Sequence, residues 1–290
     1  MALPTDVVDH ILSFLQSDPI SLKTCSKSHP ILSKLAERHL YSSITIISGG
    51  SNNIVASENC LQERKLNRLS RNSDIANYVR SLKVNFAYKP SRRRRQATPN
   101  YLERVFAVVP QFLSLRKITI NNARNDVNAS WDIVANRACP AFLALFQSME
   151  EVHIEGFNLN SSCLRRCQTV RFLTLSRCNF HSVDPSQLAP FSSPRPLLKS
   201  LSMDSCSRRS LLNILAWVQT LPLLSLRLLK LKDSAYDQLH SLLPQLLSGC
   251  SSSLNNLDLD FGSKGAFAWF VSKSLKFEFY LQSGPLMDLP

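Results

Sequence analysis

A short pattern, apolar-x-x-apolar-x-apolar, recurs along the chain. In its most regular stretch the middle apolar residues are Leu173, Leu201, Leu229 and Leu257, each 28 residues after the one before. The last two apolar positions of each copy flank a single residue, the spacing of a strand with one buried face. Equal spacing of such strands indicates an internal structural repeat. The four copies occupy residues 170–175, 198–203, 226–231 and 254–259.

Towards the N-terminus the pattern continues at less regular intervals. It fits residues 79–84, 115–120 and 149–154, and residues 41–46 fit an opening strand. Between strands the apolar spacing changes to that of a helix, although Pro110 interrupts the stretch 101–115. Strand, helix and strand in the same sense predict a parallel sheet with right-handed crossovers. Two helical stripes consist of Leu211, Leu212, Leu215 and Val218, and of Leu239, Leu242, Leu243, Leu246 and Leu247.

Two copies of the pattern continue to a cysteine three residues later, at Cys178 and Cys206. This extended pattern resembles the leucine-rich repeat, and the resemblance covers roughly residues 79–262. It implies an α/β fold: an irregular solenoid with a curved parallel sheet and outer helices. In that family the cysteine turns inward after the strand and contacts the neighbouring turn. Other copies have Phe157, Ala123, Ser234 and Gly262 at this place.

The residues that alternate with the buried strand positions would form a row on the open, concave face of such a solenoid. One interpretation is a ligand-contacting surface of mixed charge. The other is that neighbouring strands pair opposite charges, Lys230 and Lys232 with Asp258 and Asp260; both can hold. The row contains Lys83, Asn85, Thr119 and Asn121, followed by the residues we assign to substrate binding: His153, Glu155, Thr174, Ser176, Ser202, Asp204, Lys230, Lys232, Asp258 and Asp260.

Three short helices are predicted before the first strand. Thr5 or Asp6 is expected to cap the first, Asp18-Pro19 to begin the second, and Ser28 and Pro30 to begin the third. A unit of about forty residues has little interior, so part of its apolar surface is available to a partner or to the first repeat. The apolar residues of the first helix are Val7, Val8, Ile11, Leu12, Phe14 and Leu15.

This segment resembles the F-box, and residues 36–44 resemble the fungal members of that family. The resemblance implies that the segment binds the Skp-type linker subunit of a cullin–RING ubiquitin ligase, while the repeats hold a protein substrate. Packing inside the helical unit is the alternative role for some of the same side chains. By position, the linker contacts would be Leu3, Pro4, Val8, Ile11, Leu12 and Leu15. The features that carry the resemblance are Leu3-Pro4, Val7-Val8, Ile11-Leu12, Phe14-Leu15, Asp18-Pro19, Leu22, Cys25-Ser26-Lys27 and Leu35-Ala36.

Positive charge is concentrated in one stretch. Residues 62–104 contain twelve basic and three acidic residues and so supply +9 of the net +13. Such a field favours acidic partners. For the run Arg92 to Arg95 we rank a solvated loop first, a nuclear-import signal second and nucleic-acid binding third, because no aromatic residues interleave with the arginines for base stacking.

Catalytic and metal-binding chemistry is not indicated. The chain has 8 cysteines but no CxxC, and its spacing Cys163, Cys167, Cys178, His181 matches no standard zinc pattern. The nucleophile-elbow, zincin, dinucleotide and P-loop motifs are missing. The N-terminus lacks the pattern of a signal peptide, and the longest apolar stretch, 213–231, is interrupted by polar residues and Pro222. These observations predict a protein without cofactor or membrane span, in the cytoplasm or nucleus, with reduced thiols.

The predicted organisation is a helical docking module in residues 1–42 and a repeat region in residues 43–290. Within the latter, the clearest repeats cover 170–262 and a basic loop covers 89–99. With 44% hydrophobic and 19% charged residues, the chain can bury a sizeable core. The favoured function is a non-catalytic substrate-recognition adaptor of an SCF-type ubiquitin ligase. A repeat scaffold with a vestigial F-box and a basic nucleic-acid-associated protein are the alternatives.

Overall fold

The structure is a computed structural model with a mixed α/β fold and a parallel sheet of eight strands. The chain divides into two compact units, Met1–Asn158 and Leu159–Pro290. The parallel sheet predicted from the repeat pattern is confirmed. The structure describes residues 3–48, 64, 67–86, 109–122, 129–130, 148–159, 169–180, 197–206, 210, 213–214, 218, 225–232, 247, 250 and 252–260.

Three helices open the first unit: α1 (Thr5–Ser13), α2 (Pro19–Ser28) and α3 (Pro30–Tyr41). The prediction that Thr5 or Asp6 caps α1 is wrong, because Pro4 is the N-cap residue and makes no side-chain cap hydrogen bond. The predicted start of α2 is confirmed: the Asp18 carboxylate accepts hydrogen bonds from the backbone N–H groups of Ile20 and Ser21.

The third helix begins at Pro30, as predicted, whereas Ser28, two residues earlier, ends α2. Its N-cap is His29, whose Nδ1 accepts a hydrogen bond from the Ile31 N–H at 3.2 Å, and Pro30 occupies the first turn. An imidazole nitrogen therefore takes the capping role that a serine hydroxyl was expected to fill. The core of the helical segment consists of Leu12, Leu22 and Ala36, with Val8, Leu15, Cys25, Leu32, Leu35 and Leu40 packed against it.

The strands of the main sheet lie where the repeat pattern predicts them. In the first unit their order is β1 (Ser43–Ser48), β2 (Ser81–Phe86), β3 (Lys117–Asn122) and β5 (Glu151–Glu155). In the second unit the order is β7 (Phe172–Ser176), β9 (Ser200–Asp204), β10 (Leu228–Lys232) and β11 (Asn256–Asp260). Each strand begins two residues after the first apolar position of its copy. The short strands β4 (Ala129–Ser130), β6 (Phe157–Leu159) and β8 (Asn179–Phe180) lie outside this sheet.

The register places equivalent apolar residues opposite each other. Leu82 is opposite Ile118, and Leu229 is opposite both Leu201 and Leu257. In β3, β5, β9 and β10 buried and half-buried residues alternate. The buried rows thus stack from strand to strand, which is why an apolar residue at each of these positions recurs in the sequence.

Of the helices predicted between strands, most residues lie outside the part of the chain that the structure describes. In the two predicted stripes that end at Val218 and Leu247 the described residues are helical, and Ile214 and Val218 are fully buried. In the stretch 101–115, by contrast, residues 112–115 form no helix. The interruption at Pro110 lies in a 3-10 turn, Val109–Gln111. A one-turn helix, α4 (Ser73–Ala76), was not predicted; the Asn72 side chain caps it by accepting from the N–H groups of Asp74 and Ile75.

A left-handed residue follows three of the strands at the same repeat position. Gly156 has φ 74°, and Arg177 and Ser205 each have φ 51°. The next residue turns inward each time: Phe157, Cys178 and Cys206 are buried. The Cys206 thiol donates to the carbonyl oxygen of Leu175 on the preceding strand, at 3.4 Å. Burial raises the pKa of the Cys206 thiol to about 11, so this group remains protonated near neutral pH.

Gly156 leaves little room for a side chain at its corner. A Cβ there would lie 3.1 Å from the Cβ of Asn122, whose Nδ2 donates to the Gly156 carbonyl oxygen at 3.0 Å. We expect Gly156→Ala to lower the free energy of unfolding by about 1–2 kcal/mol, because the left-handed conformation and the close contact both disfavour a side chain. Urea denaturation measures the change. Ser205→Gly is the matched control, expected to change stability by less than about 1 kcal/mol; a Gly156→Ala protein as stable as wild type would contradict the argument.

Candidate functional site

An apolar stripe on the outer side of α1 is the first candidate surface. Leu3 is 64% exposed, Ile11 49% and Phe14 74%, and Val7 is also exposed. Val7, Ile11 and Phe14 are four and three residues apart and so share one face of the helix. We call Leu3, Val7, Ile11 and Phe14 the docking stripe.

The predicted linker contacts divide into two groups in the structure. Leu3, Pro4 and Ile11 are exposed. Val8 and Leu15 are half-buried against the helical core, and Leu12 belongs to that core, so for these side chains the alternative of internal packing applies. Val7 and Phe14 are absent from the predicted set, although their spacing from Ile11 in the sequence marks the same helix face.

Polar contacts on another side of α1 hold it against α3. The His39 Nε2 donates to Asp9 Oδ1 at 2.9 Å, while Gln16 Nε2 donates to His39 Nδ1 at 3.0 Å. Arg38 lies 3.5 Å from the second Asp9 oxygen. Both imidazole nitrogens are satisfied by the neutral tautomer that carries its proton on Nε2. These contacts fix the orientation of α1 and therefore of the docking stripe.

The helical segment joins the first strand without a linker. Only Ser42 separates the end of α3 from the start of β1. After β1 the chain returns to α3: Arg68 makes an ion pair with Glu37 at 2.6 Å, and its guanidinium lies 5.3 Å from the centre of the Tyr41 ring. Burial raises the pKa of the Tyr41 hydroxyl. Within the first unit, the docking stripe and the strands are therefore parts of one packed structure.

The half-buried residues of the main sheet form the second candidate surface. In the first unit these include Lys83 and Asn85 on β2, Thr119 and Asn121 on β3, and His153 and Glu155 on β5. The structure brings them together because β2, β3 and β5 are adjacent and in register. In the second unit Thr174, Ser176, Ser202, Asp204, Lys230, Lys232 and Asp258 are half-buried at equivalent positions, and Asp260 is in register with Lys232.

Charge pairing between neighbouring strands accounts for part of the second surface. Lys230 makes an ion pair with Asp258, its partner in the register. Lys117 pairs likewise with Glu151 at 2.6 Å. The charge-pairing interpretation therefore holds for Lys230 and Asp258. Such half-exposed pairs contribute only about 0–1 kcal/mol each, so they do not exclude a second role in contacting a ligand.

Three buried polar atoms lack a hydrogen-bond partner among the described residues of the first unit. Asn85 Oδ1, Asn121 Oδ1 and His153 Nε2 are buried and make no hydrogen bond. Burial lowers the pKa of His153, with smaller opposing contributions from Glu155 and Glu151 and smaller reinforcing ones from Lys117 and Lys83. The imidazole is accordingly neutral near pH 7.

The arginine run and most of the cysteine–histidine set considered as a metal site lie outside the described residues. Arg92 to Arg95 and most of the Cys163 to His181 set are among the residues not described, and the described residues contain no cluster of metal ligands. Across the described ranges, no helix has the length and apolar character needed to cross a membrane. A comparison with models of known protein families finds no match, and a comparison with curated proteins finds none either.

Proposed function

We propose that the protein is a non-catalytic substrate-recognition adaptor of a cullin–RING (SCF-type) ubiquitin ligase. In this role residues 1–42 act as an F-box that binds the Skp-type linker, and the repeats form a leucine-rich solenoid that holds a protein substrate. The proposal requires no cofactor and places the protein in the cytoplasm or nucleus.

The docking stripe is the observation that carries the proposal. Leu12 is 3% exposed and Ile11 49% exposed on the same helix, so α1 buries one apolar face and leaves another uncovered. A contiguous apolar surface of this kind marks an interaction site, because water contact with it is unfavourable. Its position in a three-helix segment at the N-terminal side of a repeat sheet is the arrangement that the F-box resemblance implies.

The join between the two parts supports the same role. An adaptor presents its substrate in a fixed direction relative to the docked ligase, and a flexible linker would weaken this. Ser42 alone separates α3 from β1, and the Arg68–Glu37 ion pair ties the returning chain to α3. The helical segment and the first strands thus have the continuous connection that such a function needs.

The test is a binding measurement between the full chain and a purified Skp-type linker subunit. We expect Ile11→Asp to weaken binding by at least about ten-fold, because a charge would replace an apolar contact at the centre of the docking stripe. Leu113→Asp is the matched control, since Leu113 is 82% exposed and lies outside the helical segment. Circular dichroism checks that both variants are folded.

Two results would contradict the adaptor proposal. One is a folded wild-type chain that does not bind the linker, which would leave a repeat scaffold with a vestigial F-box. The other is equal weakening by Ile11→Asp and Leu113→Asp, which would mean that binding does not use the docking stripe.

A further inference from the structure

The unpartnered polar atoms are concentrated in one place. Asn85 Oδ1, Asn121 Oδ1 and His153 Nε2 are the buried side-chain atoms without a hydrogen bond in the part of the chain that the structure describes. Asn85 is opposite Asn121 in the register, and His153 is opposite Thr119 on the neighbouring strand. All three therefore lie on one face within about 12 Å, which is two strand spacings across the sheet and two residues along the strands.

Such atoms are unusual in a folded protein. A buried acceptor or donor without a partner costs about 1–3 kcal/mol, and most buried polar groups are satisfied. Structural side chains elsewhere on the same sheet do have partners, as in the Lys117–Glu151 pair. Three unsatisfied atoms on adjacent strands indicate that a bound molecule supplies the missing hydrogen bonds when these side chains turn outward, which the soft last torsion of each side chain allows.

The charge of this face indicates the kind of molecule. Lys83 lies opposite Thr45 on one side and Thr119 on the other, so neither register partner carries a carboxylate. Lys117 and Lys230, in contrast, each have an acidic register partner and pair with it. Lys83 is thus a half-buried cation whose register neighbours are neutral, and a ligand carboxylate would complement it. Glu155, opposite Asn121 on β5, carries the opposite charge at the other side of this face.

The amide groups further limit the chemical class of the ligand. A primary amide presents one acceptor oxygen beside N–H donors, which is the same pair of functions that a peptide group offers. Asn85 and Asn121 place two such amides side by side, and a neutral imidazole adds one more hydrogen-bonding atom. An extended peptide offers N–H and C=O groups at regular intervals along its length, whereas a simple anion offers acceptors only and cannot donate to the two Oδ1 atoms.

We propose that the polar patch formed by Lys83, Asn85, Thr119, Asn121 and His153 binds an extended peptide segment of a partner protein that carries an acidic side chain. Backbone N–H groups of the segment donate to Asn85 Oδ1 and Asn121 Oδ1, and its carboxylate pairs with Lys83. This inference rests on the proposed function, in which the strand face holds the substrate, and it specifies where on that face and by what chemistry.

The experiment uses the full chain and a phage library of random peptides about ten residues long, enough to cross the patch in extended form. We expect the selected peptides to be enriched in Asp or Glu. Fluorescence anisotropy of the strongest peptide should then give a Kd about ten-fold or more weaker for the Asn85→Ala, Asn121→Ala double variant. Lys83→Gln should lose the preference for the acidic peptide over its amide counterpart. Leu113→Ala, at a residue that is 82% exposed and lies outside both candidate surfaces, is the control and should bind as wild type.

The outcomes separate this inference from the adaptor proposal. Ile11→Asp should lose linker binding and keep peptide binding, since the docking stripe and the polar patch share no residue. A selection that yields no binder, or a peptide bound equally well by wild type and the double variant, overturns the polar patch as a peptide site whether or not the linker binds. Loss of linker binding alone leaves the peptide site standing as part of a scaffold.

Discussion

Replacing Ile118 by alanine is expected to lower the free energy of unfolding by about 3 kcal/mol, while Thr119→Ala lowers it by less than about 1 kcal/mol. The two residues are neighbours in β3, but Ile118 is 0% exposed and Thr119 is half-buried on the opposite face. Ile118 lies between Leu82 and Val152 in the register, both fully buried, so its loss leaves a cavity that three strands share.

Urea denaturation followed by circular dichroism measures both changes on the full chain. The comparison is sharp because the substitutions differ by one position and remove side chains from opposite faces of the same strand. Equal losses of stability would mean that the two faces of the sheet are equally buried, and the assignment of the half-buried row as a binding surface would fail with it.

The strands were predictable because the apolar pattern that identifies them is also the pattern that lets them stack side by side in the sheet. A parallel sheet built by translation puts each buried residue above its equivalent, as Leu173, Leu201 and Leu229 are. The sequence must then repeat the apolar spacing in every strand. The regular interval of 28 residues therefore predicts the register of these strands from the sequence alone.

The contacts between successive turns were not predictable in the same way. The Ser225 hydroxyl donates to the Leu198 carbonyl oxygen, and the Ser253 hydroxyl to the Leu226 carbonyl oxygen, at equivalent positions of consecutive repeats. Serine is common in this chain and favours many local hydrogen bonds, so neither residue stands out in the sequence. The left-handed conformation of Arg177 and Ser205 was not predictable for a related reason, since only a glycine at these positions would have indicated it.

The candidate sites, too, were predictable from the sequence only in part. The sequence indicated a row of alternating residues, and the structure places that row on one face with His153 and Asn121 among its members. The sequence could not indicate which residues of this row would lack hydrogen-bond or ion-pair partners. That depends on the neighbours across the strands: Lys230 faces an aspartate, whereas Lys83 faces two threonines.

The apolar residues of α1 cover so much of the helix surface that the sequence pattern does not predict which face is buried. Val7, Val8, Ile11, Leu12 and Phe14 cover adjacent faces, and only the positions of α2 and α3 decide which of them enter the core. The structure selects Leu12 for the core and leaves Ile11 outside, although the two are consecutive.

Leu12→Asp is therefore expected to unfold the helical segment, with a cost of several kcal/mol, because it buries a charge among Leu22 and Ala36 without a partner. Hydrogen exchange on the full chain should show loss of protection in α1, α2 and α3, while the amides of β3 stay protected. Ile11→Asp makes the same chemical change one residue away and should leave protection in all three helices unchanged.

Both variants should lose linker binding, and they should do so for different reasons. Leu12→Asp removes the folded segment, whereas Ile11→Asp keeps it and alters only the docking stripe, so only the second tests the surface itself. If Leu12→Asp left the three helices protected, the core assigned to Leu12, Leu22 and Ala36 would be wrong, and the division of the first helix into a buried and an exposed apolar face would have to be abandoned.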